Sequence, residues 1–387
     1  VPIPRRLRDS AVLGLATLVA ATGCTATVSP TVPSSPTPSP TATPWTPTGV
    51  VASLSGAGPA PLSSTIDMWR SGLAASNPDI SLAYEDAESP ASRGRFAAGV
   101  DQFALSSRAF TEAERAELEF TGCAADASPT ATAAPEKVQP TIVQVPVSVS
   151  SISVVFRLDG ITELNLDAAT LAGIYAGRIT VWNDPAIAAS NPDVELPDLP
   201  ITAVHVGQAS GLTQNFTDYL SANTDSVWTS GAVERWPLHN GLAAPEARDV
   251  ASTVAAREGA IGYAWTADAG DAHVARIASL SGYVAPSASG ALATVGNSEL
   301  RTDALGTTLT VVVDRSPSVE GAYPLVSVDY LIGCAEYPDA ATTDGFRALA
   351  LAATAARIPA EDAQTGLPAS VRTPVRDLLA AIPQPGA

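Results

Sequence analysis

The chain has 387 residues, a net charge of −18, and 46 % hydrophobic against 16 % charged residues. That balance belongs to a globular protein rather than a disordered one, and the acidic excess argues against nucleic acid or anionic head groups as partners. Three cysteines, three widely spaced histidines (His205, His239 and His273) and no Cys-x-x-Cys give no support to a zinc site or to any other cofactor.

The first residues carry Arg5, Arg6 and Arg8, then a short apolar run from Ala11, then Ala21-Thr22-Gly23-Cys24. Basic region, apolar region and small-residue site in that order form a secretory signal over residues 1–23. The run is too short to span a bilayer as a helix. The four residues ending at Cys24 resemble a bacterial lipobox, in which Cys24 becomes the lipidated N-terminus; the alternative is an ordinary secretory signal with an incidental cysteine. Residues 24–48 are rich in Pro, Ser and Thr, including Pro30, Pro33, Pro36, Pro38, Pro40, Pro44 and Pro47. Such a segment cannot bury a core and is expected to be an extended tether, reaching on the order of 70 Å as polyproline II. If Cys24 carries lipid, Cys123 and Cys334 remain as the only possible pair, and export favours a bridge over two free buried thiols.

Beyond the tether, about 340 residues suit two lobes better than one small core. Leu62, Ile66, Trp69 and Leu73 keep helical spacing up to Asn77-Pro78. Ile80–Tyr84 reads as a strand, and Ser89-Pro90 as a capping residue followed by proline at the first helical position. Gln102–Ser106 is a strand, and Thr111 with Glu114 forms a capping box. Residues 124–140 read as a surface excursion, and Ile142–Phe156 as one or two long strands. Helices are expected from Asp167, Asp184-Pro185 and Ser210, and another over Val250 and Val254. Strands are expected at Ile261–Trp265 and Leu325–Ile332, and a last helix opening at Thr373-Pro374. The alternation is that of an α/β layer with a largely parallel sheet. Trp69, Trp182, Trp236 and Trp265 read as core, and Asp101, Asp218 and Asp268 as caps or solvated surface.

The run GIYAGRITVWNDPAI from Gly173 to Ile187, then Asn191-Pro192, Ser210-Gly211, Phe216–Leu220, Trp236-Pro237, Gly259–Tyr263 and Tyr323-Pro324, resembles the phosphate-binding components of bacterial ABC importers, the PstS family. The resemblance implies an α/β, two-lobed periplasmic-binding-protein fold (type II) with lobes joined by crossing strands. One lobe is placed at 49–142 with 300–387 and the other at 143–299. It implies a lipid-anchored protein on the outer face of the cytoplasmic membrane that binds inorganic phosphate or another small anion and meets ABC permease subunits. The membrane is contacted only through the lipid, and a monomer is the default. No Gly-x-Ser-x-Gly surrounds Ser210 and no histidine keeps a triad spacing, so an enzyme is not expected.

Four family segments supply the ligand's hydrogen bonds, and the positions matching them here are Ser89, Ser107, Gln208, Ser210, Gly211 and Thr213. Each segment departs from the family pattern. The Gly-Ala-Gly-Ala-Thr-Phe loop is shortened to Gly56-Ala57-Gly58-Pro59. The Gly-Ser-Gly turn reads Glu88-Ser89-Pro90, and the Ser-Asp pair reads Ser106-Ser107. The Arg-Ser-Asp-Gly-Ser-Gly-Thr-Thr run reads VGQASGLT over Val206–Thr213, without its arginine and aspartate. Loss of a charge-assisted bond to a buried anion costs about 1.5–3 kcal/mol, so phosphate binding at the family site is expected to be much weakened. Arg93 and Arg95 read first as solvated surface charges, with a substitute charge for the ligand from the first lobe as the alternative role. A family member that has lost phosphate and serves as a surface sensor, scaffold or binder of another ligand is the competing reading.

Overall fold

The structure, a computed structural model, describes residues 47–124, 140–224, 226–356, 358 and 364–382. The signal-like segment, Cys24 and the tether before Pro47 lie outside the described residues, as do residues 125–139 of the expected surface excursion.

In chain order the described elements begin with β1 (Ala52–Gly58), α1 (Ser63–Ser76), β2 (Ile80–Asp86), α2 (Ser89–Ala97), β3 (Phe103–Ser106) and α3 (Glu112–Glu117). There follow β4 (Ile142–Phe156), β5 (Asn165–Leu166), α4 (Ala168–Tyr175), α5 (Pro185–Ser190), β6 (Thr202–Val206), α6 (Gly211–Asn223), β7 (Leu242–Ala244), α7 (Val250–Ala255) and β8 (Ala260–Trp265). The last third holds β9 (His273–Val274), β10 (Arg276–Ser279), β11 (Gly282–Val284), α8 (Ala288–Gly296), β12 (Glu299–Thr302) and β13 (Leu309–Val312). It ends with β14 (Val326–Cys334), α9 (Ala340–Ala355), β15 (Gln364–Thr365) and α10 (Ala369–Ala381).

The main sheet runs β2-β1-β3-β14-β4-β8-β6-β7. The largely parallel sheet expected from the strand–helix alternation is instead mixed: it is parallel toward both edges but antiparallel at its centre, where β14 pairs with β3 and β4, and β4 with β8, because the chain returns through β14 and passes between the half-sheets on β4. The sequence reading of one or two strands over 142–156 resolves to a single strand of 15 residues, buried throughout. That strand serves two half-sheets. Its residues 142–151 pair with β14, and its residues 152–156 pair with β8. The handover is pinned at one residue: Ile152 donates its N–H to the Leu325 carbonyl at 2.8 Å and accepts the Tyr323 hydroxyl on its own carbonyl at 2.6 Å. Hydrophobic and serine positions alternate without a solvated face because helices cover both sides of a central strand.

Each half-sheet has its own aromatic cluster. Phe110 and Phe120 lie 5.5 Å apart on the first, and Phe216 stacks on Tyr263 at 4.2 Å on the second. The α1 stripe Leu62, Ile66, Trp69 and Leu73 is buried, as its spacing predicts. Cys123 and Cys334 form a disulfide with Cα atoms 5.3 Å apart, tying the segment after α3 to the end of β14. Closing a loop of 211 residues places its stabilisation near the upper end of the usual range, about 5 kcal/mol in the chain-entropy account.

Several local expectations change. The last helix does not open at Thr373-Pro374 but at Ala369, with Pro374 inside it. Val371, Val375 and Leu378 form the buried stripe of α10, so burial of residues upstream of the proline outweighs the single backbone bond it removes. Glu88, not Ser89, is the N-cap of α2; the Ser89 hydroxyl is engaged elsewhere. Asp101 is buried rather than solvated, because the turn at Gly99 (φ 68°) returns it to the end of α2, where Arg95 donates to it at 2.6 Å.

Asp329 lies on β14 beside β4 and is fully buried, accepting hydrogen bonds from Ser148 (2.9 Å) and Ser150 (2.7 Å). Burial pushes its carboxyl up to about 6, against the opposing bonds from Ser150, Ser148 and Gln364. A raised value in the folded state means that stability is fully present below the ordinary value of 3.8 and lost as pH rises through about 6. Asp329→Asn is therefore expected to flatten the fall in melting temperature between pH 4 and pH 7 relative to the parent, by a free-energy difference on the order of 3 kcal/mol. An unchanged pH slope in the variant would show that the group does not carry this dependence.

Candidate functional site

The two half-sheets meet where α2 and α6 point their N-termini at each other. Ser89 opens α2 after Glu88, and its hydroxyl oxygen accepts the Ser107 backbone N–H at 2.9 Å while pairing with the Ser107 hydroxyl at 3.1 Å. Ser210 caps α6 by accepting the Leu212 N–H at 3.1 Å, and its own N–H goes to the Glu234 carbonyl at 2.8 Å. Gly211 sits directly against the first half. A methyl group there would lie 2.7 Å from the Ser89 hydroxyl oxygen and 2.8 Å from the Ser107 Cβ. Ser89, Ser107, Ser210 and Gly211 are thus brought together from both sides of the cleft, all buried.

The other two sequence-predicted positions lie apart from this contact. Thr213 turns its hydroxyl to that of Tyr263 at 2.9 Å, inside the second half. Gln208 is exposed and lines a neighbouring cleft of about 300 Å³ together with Glu88, Asp86, Glu246, Asp268 and Arg248. Four carboxylates against one guanidinium make this opening acidic, and the Arg248 side chain already pairs with Glu246 at 2.5 Å. Asp268, expected as a cap or solvated surface, is half-buried here, with one carboxylate oxygen that has no hydrogen-bond partner. The Glu88 carboxyl is pushed up, foremost by burial and also by the charges of Glu246 and Asp268, while hydrogen bonds from Ser210 and the Ala247 backbone oppose the shift.

The charged part of the contact is carried by residues that no local motif marks. Arg93, weighed at the sequence level as a surface charge, is only 4 % exposed. It donates to Ser106 Oγ at 2.7 Å and to Glu234 Oε1 at 2.6 Å, and lies over the Phe110 ring. Arg108 donates to Glu234 through Nε at 2.9 Å and through a terminal nitrogen at 3.1 Å, and grips Glu114 with two further bonds of 2.7 Å. Burial pulls the Arg93 guanidinium down, helped by the Arg108 charge and countered by Glu234. Burial also acts on Arg108, but the hydrogen bonds it donates to Glu114 and Glu234 outweigh it and raise the group. Glu114 is held down at about 2, the bonds from Arg108 overriding its burial. Arg95 points elsewhere, to Asp101 and Glu85.

A second bridge flanks the first. Asn215 on α6 donates to the Ser107 carbonyl at 3.0 Å and accepts Arg315 at 2.7 Å. Arg315, just beyond β13, also donates to Asp218 at 2.8 Å, so Asp218 is an ion-pair partner rather than the cap or free surface expected of it. These residues border a larger opening of about 710 Å³ that includes Arg108, Gln214 and Glu299.

Chemically, the site can present helix N-termini and guanidinium groups to an oxyanion, which is what both features favour. Each of those features already has a carboxylate of the chain beside it: Glu88 at Ser210, and Glu234 at Arg93 and Arg108. Gly211→Ala is expected to force the two halves apart at Ser89 and Ser107, costing about 1–3 kcal/mol in denaturant unfolding. A variant as stable as the parent would mean that the contact is loose in solution.

A family model described as a PBP superfamily domain matches residues 36–352. The phosphate-binding protein PstS 2 of Mycobacterium tuberculosis is 32 % identical over 210 residues, 52 % of this chain and 56 % of that protein. The phosphate-binding protein PstS of Xylella fastidiosa is 30 % identical over 207 residues, 51 % of this chain and 55 % of that one. The chain therefore spans just over half the length of the curated relatives it matches. Among solved structures, a high-affinity periplasmic phosphate-binding protein (PfluDING) bound with phosphate superposes with a TM-score of 0.62 at 20 % identity, covering 83 % of this chain and 92 % of that one. A phosphate-binding protein from Stenotrophomonas maltophilia gives 0.60 at 18 %, covering 84 % and 94 %. These two likenesses establish the α/β periplasmic phosphate-binding-protein fold. With a family model matched over most of its length on that fold, the chain belongs to the PBP superfamily, as its resemblance to the PstS group implies.

Proposed function

We propose that the chain is the extracytoplasmic solute-binding component of a phosphate-class ABC importer, closing on an oxyanion between its two halves and delivering it to permease subunits. The observation that carries this reading is the convergence of Ser89, Ser107, Ser210 and Gly211, at two opposed helix N-termini, on one point between the half-sheets. A cleft of this kind removes a small anion from water from both sides and supplies backbone and hydroxyl donors as it does so. The lobes would be residues 49–142 with 300–387 and residues 143–299, except that β4 as far as Ser151 pairs with β14 in the first half-sheet and only its residues 152–156 enter the second, so that β4 is the strand joining them. Lipid on Cys24 and the tether that follows would hold the protein at the outer face of the cytoplasmic membrane. The similar PstS proteins named above support phosphate as the cargo.

One specific observation favours a second reading, a family member that no longer retains phosphate. The cleft's two guanidinium groups are balanced by Glu234 and Glu114, and the neighbouring opening is acidic, which lowers the local concentration of anions. Loss of the family arginine at Val206–Thr213 weakens phosphate further, by about ten- to a hundredfold.

Isothermal titration of the refolded, ligand-stripped protein with phosphate and then sulfate separates the two. The importer reading expects saturable phosphate binding at micromolar or tighter concentrations. Absence of heat and of any thermal shift with both anions rejects phosphate as cargo and leaves the second reading.

A further inference from the structure

Glu234 is held the way a ligand would be held. One of its carboxylate oxygens receives Arg93 at 2.6 Å and Arg108 at 2.9 Å, and the other receives Arg108 at 3.1 Å. Forked, charge-assisted contacts of this kind recognise free carboxylate and phosphate groups equally well. The residue is carried on the irregular stretch between α6 and β7, with its backbone carbonyl on the Ser210 N–H at the start of α6. Arg93 and Arg108 belong to the opposite side of the cleft, on α2 and just after β3. Among the described ion pairs, Arg93 has Glu234 as its carboxylate, whereas Arg108 also keeps Glu114.

We propose that Arg93, Arg108 and Ser106 form an oxyanion site that the chain fills with its own Glu234, and that Glu234 thereby sets which ligands the cleft accepts. Ser106 belongs to the site because Arg93 donates to its hydroxyl while that hydroxyl donates to the Arg108 carbonyl, fixing both arginines from behind. An internal carboxylate competes at high effective concentration. A free anion must displace it and leave it desolvated, or find it already removed. The chemistry of the site selects a small oxyanion, carboxylate or phosphate. The inference rests on the proposed reading only in placing the ligand within this cleft.

The test is titration of the whole protein, as wild type, Glu234→Ala and Glu234→Gln, with formate, acetate and phosphate, after thermal melting has shown each variant folded. Glu234→Gln keeps the side-chain shape and removes the charge, so it covers the case in which the alanine variant does not fold. The expected result is at least about tenfold tighter oxyanion binding in the variants than in wild type, with the gain lost when Arg93→Gln is added. A larger gain for formate and acetate identifies a carboxylate site, and a larger gain for phosphate identifies a phosphate site. Folded variants that bind no anion more tightly than wild type overturn the proposal. Micromolar phosphate binding by wild type, undiminished and unimproved in the variants, overturns it while upholding the importer reading. A gain in the variants without phosphate binding in wild type upholds it while rejecting phosphate as the natural cargo.

Discussion

A buried guanidinium must be compensated where it lies, because moving an unpaired charge out of water costs more than any one contact returns. Arg93 is buried between α2 and the opposite side of the cleft, and the carboxylate that compensates it comes from across that cleft. The position of Glu234 therefore constrains much of the rest. It draws the Ser210 end of α6 onto Ser89 and Ser107, and it leaves Gly211 room for no side chain. It also joins Arg108, and through Arg108 the capping-box residue Glu114, to one charge-balanced network. Arg315, with Asp218 and Asn215, repeats the device a short way along the same contact. The contact between the two halves is held by the chain's own groups, with a carboxylate standing where the proposed reading places the ligand.

That substitution gives the sequence departures a common physical sense. Relative to the family pattern, the chain lacks one arginine and two aspartates, at Ser106-Ser107 and over Val206–Thr213. Here the positive charge enters from Arg93 and Arg108 instead, and the negative charge from Glu88 and Glu234. The exchange sits on the fold shared with the solved phosphate-binding proteins. One long strand, β4, is shared between the half-sheets, with the handover at Ile152. Hinged closure needs only that the two halves be separate bodies joined by few strands, whatever closes the gap between them.

The elements that were legible have local signals: the α1 stripe, the Thr111–Glu114 box and the caps at Asp167, Asp184 and Ser210 all lie within a few residues of what they control, whereas β1, β6, α8 and α9 were not read from the sequence. The exceptions were cases in which tertiary burial overrode a local rule. The buried stripe of α10 runs through Pro374, and the Ser89 hydroxyl left its own helix for Ser107. The serine and glycine positions of the site could be read from family resemblance. Glu234, Asn215 and Arg315 could not, since their partners lie 141, 108 and 97 residues away and no periodicity links them. Arg93 was visible as a candidate charge, but its burial depends on packing against Phe110, which a single helix does not reveal.

The most direct measurement is small-angle scattering of the wild-type protein in buffer free of phosphate, sulfate and carboxylates, repeated after phosphate is added. A cleft held by Glu234 predicts a compact particle without ligand, with a radius of gyration that phosphate does not change. A particle that is expanded without anion and contracts when phosphate is supplied would contradict the role given to Glu234 while agreeing with the importer reading, because closure would then depend on the ligand and not on the chain's own carboxylate.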